Sequence, residues 1–363
     1  MSYVNNVLTA CPTLQSRLNQ AWLYSKGITT DEKMPFAQFL MDPINNNGIQ
    51  MNIVPGGGKV RTWQVKYAQR LQESDVNTNQ SNPACDAGIV PEDVYTNYTL
   101  DTSVNYQSPG VKLTPAALEG VCEGNDMIFE QFLLRDMDVL RRKVSSVIST
   151  QAAALYGYWS RVVPHKASPS DGEVDSDDEK LQVSTTQSNG NIQPRTHTWI
   201  SNATIDSGFP ANLLIVGGKT IREHYQVSAA GCCANEGLDV GQLFAQFGYA
   251  WMYDYRVESA LGDADQFMVV APGALQVLEY LVNPWKDGMP PEAYGGANYV
   301  HRTLTDPQTG YQYDWTVADD CGTLYSNLTW TGKVIGLPSD IFAPGLDVND
   351  GLTYVAKGKV VNP

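Results

Sequence analysis

The stretch that decides the fold is residues 125–156, NDMIFEQFLLRDMDVLRRKVSSVISTQAAALY. Its apolar residues recur at steps of three and four, which is the spacing of one buried stripe on an α-helix. Asn125 is a good N-cap because its short side chain can bond the free amides of the first turn, and Asp126 and Glu130 suit the positive end of the helix dipole. Gly157 ends the pattern. The predicted buried stripe is Phe129, Leu133, Met137, Leu140, Val144, Val147, Ile148 and Leu155.

The opposite face of this helix is predicted to carry the charges, with Asp138 placed to pair with an arginine one turn on. A helix of about 31 residues would be about 46 Å long, so it needs an extended body to lie along. No heptad pattern continues beyond it, and its charges exclude a bilayer. We therefore predict that it is the spine of a flat, extended subunit. The residues of the predicted polar face are Arg135, Asp136, Asp138, Arg141 and Arg142.

Composition excludes several classes of protein. The chain has 363 residues, enough for a sizeable core, and a formal net charge of −15, which disfavours a protein that grips nucleic acid in a basic channel. It lacks an apolar run long enough for a transmembrane helix, and residues 1–11 lack the pattern of a secretory signal, so we expect neither. The six scattered cysteines, including the adjacent Cys232 and Cys233, are interpreted as free thiols in a reducing compartment.

The clearest strand signal lies upstream of the predicted helix. Residues 61–71 and 94–106 both alternate between apolar and polar side chains, which is typical of half-buried strands. The polar stretch 72–93 joins them, so we predict a projecting hairpin with a long tip. An isolated two-stranded hairpin is barely stable in water, and its apolar face therefore needs a cover. We expect another molecule to provide it.

The rest of the chain predicts helices and strands in mixed order, so the fold class is α+β. Residues 35–41 are a short helix in an N-terminal arm that docks elsewhere. The acidic stretch 167–191 is interpreted as a solvated surface loop. From residue 211 onward, predicted strands and helices alternate, as they do in α/β folds. The last strands are expected to return and pair beside the long helix. The predicted strands are 213–216, 251–257, 266–270, 311–317, 326–334 and 352–357, and the predicted helices are 220–227, 240–247 and 274–281.

A search for catalytic or cofactor chemistry finds little. The segment Pro55 to Lys59 is glycine-rich but lacks the spacing of a phosphate-binding loop and precedes a strand, so a hinge is the better interpretation. The four histidines share no metal-binding spacing. Asp263 with Asp265, or Asp319 with Asp320, could form an acid pair, but carboxylates spaced in this way on loops are usually only solvated. We expect no enzyme activity and no cofactor.

The order of parts resembles the major capsid protein of tailed bacteriophages. The local matches are residues 106–156, the stretch 262–270 leading into Pro272, and residues 314–341 with Trp315, Trp330 and Pro338. The resemblance implies an N-terminal arm at 1–48, an E-loop hairpin at 49–112, a P-domain with the spine helix at 113–196, an A-domain at 197–304, and returning P-domain strands at 305–363.

The resemblance also implies a function. The subunit would assemble through hexamers and pentamers into an icosahedral shell that encloses double-stranded DNA, because heterologous contacts between copies close into rings. Its partners would be further copies, a separate scaffolding protein, a portal and decoration proteins, with assembly in the host cytoplasm and no membrane. An encapsulin-like nanocompartment shell and a soluble hydrolase stay as alternatives. The residues expected to contact a neighbouring subunit are Trp63, Val65, Tyr67, Tyr98 and Leu100.

Overall fold

The computed structural model describes most of the chain. The described residues are 18–19, 21–22, 34–41, 50–54, 60–68, 93–113, 128–157, 159–160, 162–210, 212–232, 249–281, 299–320, 323–336 and 354–362. The helices are α1 Pro35–Met41, α2 Ile128–Ala154, α3 Thr196–Asp206, α4 Lys219–Cys232 and α5 Tyr255–Leu261.

The strands fall into four sheets. In chain order they are β1 Gln50–Val54, β2 Val60–Ala68, β3 Asp93–Asp101, β4 Tyr106–Gln107, β5 Val111–Leu113, β6 His165–Lys166, β7 Val174–Asp175, β8 Leu181–Val183, β9 Leu213–Gly217, β10 Tyr249–Tyr253, β11 Gln266–Val270, β12 Leu275–Glu279, β13 Tyr299–Thr305, β14 Gln312–Asp320, β15 Thr323–Trp330, β16 Gly332–Gly336 and β17 Val355–Val360. Helices and strands are interleaved and the sheets are largely antiparallel, so the α+β prediction is confirmed.

The long helix α2 has 27 described residues and is therefore about 40 Å long. The predicted N-cap Asn125, the next residue Asp126 and the side chain of Phe129 lie outside the described part of the chain. Most of the predicted apolar stripe is confirmed, and only Val147 and Leu155 are half-buried. The fully buried members are Leu133, Met137, Leu140, Val144 and Ile148.

The predicted polar face of α2 is largely wrong. Asp136, Asp138 and Arg141 are buried, and among the five charged residues of that face only Arg135 is fully exposed. The reason is that α2 is packed on several sides, by α1, by Leu18, Ala21 and Trp22, and by the sheet of β13, β14, β15 and β4. Local periodicity could not reveal these partners, which come from distant parts of the chain.

The largest described sheet is mixed and has seven strands, in the order β10-β9-β11-β17-β8-β7-β6. All five residues of β9 are buried, and so are the last four of β11. The predicted strands 213–216 and 266–270 and the helix 220–227 are confirmed. The acidic stretch 167–191 is not merely a solvated loop, because β7 and β8 join this sheet beside β17.

The returning strands pack against α2, as predicted. The sheet β13-β14-β15-β4, which β5 joins, buries Tyr311, Tyr313, Trp315 and Trp330 in the same core as α2. The predicted strand 326–334 is divided at Thr331, where β15 ends and β16 begins. A Cβ at Gly332 would collide with the Trp330 indole, so the chain can turn there only with glycine.

Two local predictions are wrong in the α/β region. Residues 274–281 were expected to form a helix but contain strand β12, because β16 supplies an antiparallel partner along Leu275–Glu279. The predicted strand 251–257 ends at Tyr253, where Asp254 caps α5 by accepting a hydrogen bond from the Arg256 amide. The predicted helix 240–247 lies outside the described residues.

Candidate assembly surface

The ribbon is a three-stranded antiparallel sheet in the order β1-β2-β3. Its register places Trp63 opposite both Tyr98 and Ile53. Directly opposed residues share a face, so the odd positions of β2 and the even positions of β3 lie on one side of the ribbon. The predicted amphipathic pattern is therefore confirmed in the backbone pairing. Sequence reasoning missed β1, although the alternation of Met51, Asn52 and Ile53 is a signal for it.

The root of the ribbon is buried against the body of its own chain. Trp63 is 5% exposed and Leu100 is 4% exposed. They form a small cluster with Leu278, Tyr280 and Ile335, and Tyr98 packs against it. The Trp63 and Tyr280 rings meet edge to face, with centroids 6.0 Å apart. Such pairs add stability beyond the area that they bury.

Polar contacts fix the same root. The Arg61 Nε donates a hydrogen bond of 2.9 Å to the Tyr280 hydroxyl, and the Arg61 guanidinium lies 5.2 Å from the centre of that ring. The Tyr98 hydroxyl donates to the Gly336 carbonyl at 3.0 Å. Because β12 and β16 form one two-stranded sheet, Tyr280 and Gly336 anchor the ribbon to a single support. We call Arg61, Trp63, Tyr98, Leu100 and Tyr280 the root cluster.

The predicted contact residues therefore divide into two groups. Trp63, Tyr98 and Leu100 belong to the root cluster and pack against Leu278, Tyr280 and Ile335 of the same chain. Trp63 and Leu100 are buried there and Tyr98 is half-buried, and contact of these residues with a neighbouring subunit stays a prediction. The side chains of Val65 and Tyr67 lie outside the described part of the structure. Their register positions continue the face of Trp63 away from the root, opposite Thr96 and Val94.

The N-terminal arm docks on the same chain where it is described. Leu18, Phe36 and Leu40 are buried in the main core. The Ser145 hydroxyl contacts the Met34 sulfur at 3.0 Å. The arm is therefore attached to the long helix α2.

Each described histidine has a neighbour in the fold. His165 lies 3.2 Å from Glu179, His301 lies 2.8 Å from Asp314, and His197 packs against His224. The described residues contain no group of three or more His, Cys, Asp or Glu side chains placed to hold a metal ion.

The candidate acid pairs have structural partners where they are described. Asp265 accepts a hydrogen bond from the Thr220 hydroxyl, and Asp263 accepts one from the Asp265 amide at 3.1 Å. The side chains of Asp319, Asp320 and Cys232, together with residues 55–59 and Cys233, lie outside the described part. The turn around Asp263 is thus held together by the carboxylates that sequence reasoning considered for catalysis.

An open polar depression of about 580 Å³ lies beside β8. Its walls are serine, threonine and glutamine side chains with Asp171 and Val361, and Asp171 accepts a hydrogen bond of 2.6 Å from Ser184. The described lining has neither histidine nor cysteine. Within the described helices, none has the length and apolar character needed to cross a bilayer.

No protein-family model matches this sequence, and no curated protein matches it. Solved structures that resemble the chain include bacteriophage capsids, a virus-like particle from Pyrococcus furiosus and the capsid of a GTA particle. The cyanophage A-1(L) capsid subunit has 10% identity and a TM-score of 0.46 over 91% of this chain and 93% of that one. The capsid of Myoviridae phage XM1 has 10% identity and a TM-score of 0.40 over 92% and 94%. The capsid of Ralstonia phage GP4 has 9% identity and a TM-score of 0.39 over 85% of each chain.

Proposed function

We propose that this chain is the shell-forming subunit of a tailed-phage capsid, which assembles through hexamers and pentamers around double-stranded DNA. The observation that carries the proposal is the ribbon, which is anchored at its root while its apolar face continues outward in register. Beyond Trp63, that face holds the positions of Met51, Val65, Tyr67 and Val94. A row of apolar residues on a ribbon of this kind fits a contact with a neighbouring copy.

The root cluster favours this contact between copies because it holds the ribbon in place before a neighbour binds. A ribbon fixed at Tyr280 and Gly336 has a defined direction, so less conformational entropy is lost when its outer part meets a neighbour. Burial of apolar area contributes about 25 cal/mol per Å², and a standard interface buries about 1,600 Å² in total. A contact between the ribbon of one copy and the body of the next is heterologous, and such contacts close into rings. Rings of six and five copies are the units that an icosahedral shell requires.

The remaining features are those of a structural protein. In this proposal the arm, E-loop, P-domain and A-domain have the boundaries that the sequence analysis predicts. The subunit has no enzymatic role, and a separate scaffolding protein, a portal and decoration proteins act on the shell. Assembly occurs in the host cytoplasm and the product is the virion capsid. The net charge of −15 suits a wall that confines DNA without holding it tightly.

The test is assembly of variants altered on the two faces of the ribbon. Val65→Asp combined with Tyr67→Asp places two carboxylates on the apolar face. Thr62→Asp combined with Gln64→Asp adds the same charge on the opposite face and is the matched control. We expect the first variant to keep its circular dichroism spectrum but to form no shells in sedimentation and electron microscopy, whereas the control assembles.

Shells from both variants would remove the outer ribbon from the assembly contact. A purified wild-type chain that stays a compact monomer at high concentration would contradict the capsid proposal. Shells that enclose protein and exclude DNA would favour the nanocompartment alternative.

A further inference from the structure

The exposed surface of α2 is a narrow stripe along one side of the helix. The carboxylates of α2 do not contribute to this stripe, because they are buried. Glu130, Asp136 and Asp138 are 0%, 6% and 5% exposed. The exposed positions follow one another at steps of three and four, as one line on a helix must. We call them the basic stripe; from the N-terminal end they are Phe132, Arg135, Val139, Lys143, Ser146, Thr150 and Ala154.

The charge of the basic stripe is opposite to that of the whole chain. Arg135 and Lys143 are exposed cations, and the half-exposed Arg142 lies beside them. Arg142 is paired with Asp138 at 3.3 Å, so among the described residues of α2 the fully exposed cations are Arg135 and Lys143. A helix face whose described residues include two exposed cations and no exposed carboxylate, on a chain with a net charge of −15, is a local positive feature that favours an anionic partner.

Burial of the acidic residues has specific structural causes. Asp136 accepts hydrogen bonds from the Ser108 hydroxyl and the Gly110 amide, at 2.5 Å and 3.2 Å. Asp138 is held by Arg141 at 3.2 Å. The contacts of Asp136 fasten α2 to the segment between β4 and β5, whereas the pair of Asp138 and Arg141 lies within α2. Both sets of contacts hold the carboxylates away from solvent. The positive character of the stripe is therefore fixed by the fold.

We propose that the basic stripe contacts the phosphate backbone of double-stranded DNA. The inference rests on the proposed function, because a shell subunit that encloses DNA must present one face to it. Arginine, lysine, serine and threonine are residue types that contact phosphates without reading sequence. Arg135 and Lys143 are about 12 Å apart along the helix axis, and a straight rod of about 40 Å spans about 12 base pairs of duplex.

With two cations, each subunit makes only a weak contact with DNA. A weak contact suits the wall of a shell in which the duplex must slide during packing and release. The contact is repeated by every subunit of a shell, so its sum is large although each part is small. The two apolar residues of the stripe, Phe132 and Val139, are 38% and 42% exposed. They lie seven positions apart, which is about two helical turns. The apolar area that they expose is too small for a stable protein interface.

The experiment measures binding of a 40-base-pair duplex to unassembled full-length protein by fluorescence anisotropy, over a series of salt concentrations that begins at low ionic strength. The test variant is Arg135→Gln with Lys143→Gln. The matched control is Lys219→Gln with Lys333→Gln, which removes two exposed lysines that belong to α4 and β16. We expect wild type and control to bind with the same salt dependence. The plot of log K against log salt has a negative slope, and its steepness should be smaller by about two in the test variant.

Equal binding by all three proteins, or no binding by the wild type at low salt, would overturn the inference. Shell assembly is scored separately by sedimentation. Loss of assembly only in the test variant, with DNA binding unchanged, would mean that the stripe contacts another protein copy and would also overturn it. Failure of every protein to assemble, with the salt slopes as expected, would count against the proposed capsid function alone.

Discussion

Arg141 in the middle of α2 donates a hydrogen bond from Nε to Asp306, 165 positions later, at 2.7 Å, and both side chains are fully buried. The same guanidinium contacts Asp138 at 3.2 Å and lies 5.2 Å from the centre of the Trp22 ring. Asp306 also accepts hydrogen bonds from the amides of Gln308 and Thr309, so it shapes the turn between β13 and β14. One buried ion pair thus joins the long helix, the returning strands and the N-terminal arm.

Arg141→Met should therefore lower the free energy of unfolding by about 3–5 kcal/mol, because it leaves the Asp306 carboxylate buried without its cation. Urea denaturation followed by circular dichroism measures the change. Arg135→Met on the exposed side of the same helix is the control and should change stability by less than about 0.5 kcal/mol. If both variants lost the same stability, the buried pair would have no special role.

Removal of the aromatic anchor at the ribbon root should loosen the ribbon within a single chain. Trp63→Ala empties the space beside Tyr280, and a buried tryptophan removed in this way costs about 3–5 kcal/mol. Hydrogen exchange should show lost protection in β2 and β3. Thr99→Ala changes an exposed residue of β3 and should keep the protection. Unchanged exchange in both variants would show that the root is held by backbone pairing alone.

The packed histidines between α3 and α4 should make the protein acid-sensitive. Burial, with a smaller contribution from His224, lowers the pKa of His197 from 6.5 to about 4, and burial also lowers the pKa of His224, against a hydrogen bond to the Thr185 backbone. The folded state keeps His197 neutral, so stability is full above pH 6.5 and is lost as the pH falls toward 4. His197 alone accounts for a loss of the order of 3 kcal/mol.

His197→Phe keeps an aromatic ring beside His224 and Tyr225 but cannot take up a proton. The variant and the wild type should differ little in pH dependence above pH 6.5. Below it, the wild type should lose stability more steeply, in chemical denaturation at pH 7.5, 6, 5 and 4. Parallel curves at all four pH values would contradict the assignment.

Glu279 should have the opposite pH dependence. Burial raises its pKa from 4.5 to about 7, although the Trp330 indole donates a hydrogen bond of 2.6 Å to it. The folded state prefers the protonated acid, so this residue's contribution to stability is full below pH 4.5 and is lost as the pH rises to 7. Glu279→Gln should therefore be more stable than the wild type at pH 8, by up to about 3 kcal/mol, and similar to it at pH 4.5.

Thermal unfolding at the two pH values measures this difference. Glu173→Gln is a useful control, because its carboxylate is near the surface and paired with Lys166 at 2.5 Å. That pairing lowers the pKa of Glu173, so its removal should not stabilise the protein at pH 8. A Glu279→Gln protein that is less stable at pH 8 would show that the ionised form is the one that the fold prefers.

The sequence by itself determined the elements whose signal is local. Periods of 3.6 and 2 place α2, β2 and β3, because a helix or strand that buries one face shows that face in the spacing of its own apolar residues. Short, continuous apolar runs place β9 and β11, which are buried on both faces. The apolar side of the ribbon follows from the same alternation. These are interactions between residues a few positions apart, or between one element and any apolar surface.

Only the tertiary structure decided which surface covers each element. Leu275–Glu279 became a strand because β16 lies beside it, and Arg141 became buried because Asp306 and Trp22 surround it. The cover of Trp63 proved to be Tyr280 of the same chain, which no local pattern around either residue encodes. Desolvation and pairing depend on neighbours far away in the sequence, 61 positions for Leu275 and Gly336 and 165 for Arg141 and Asp306. Burial of a charge, or the choice between helix and strand, is therefore decided only in the folded chain.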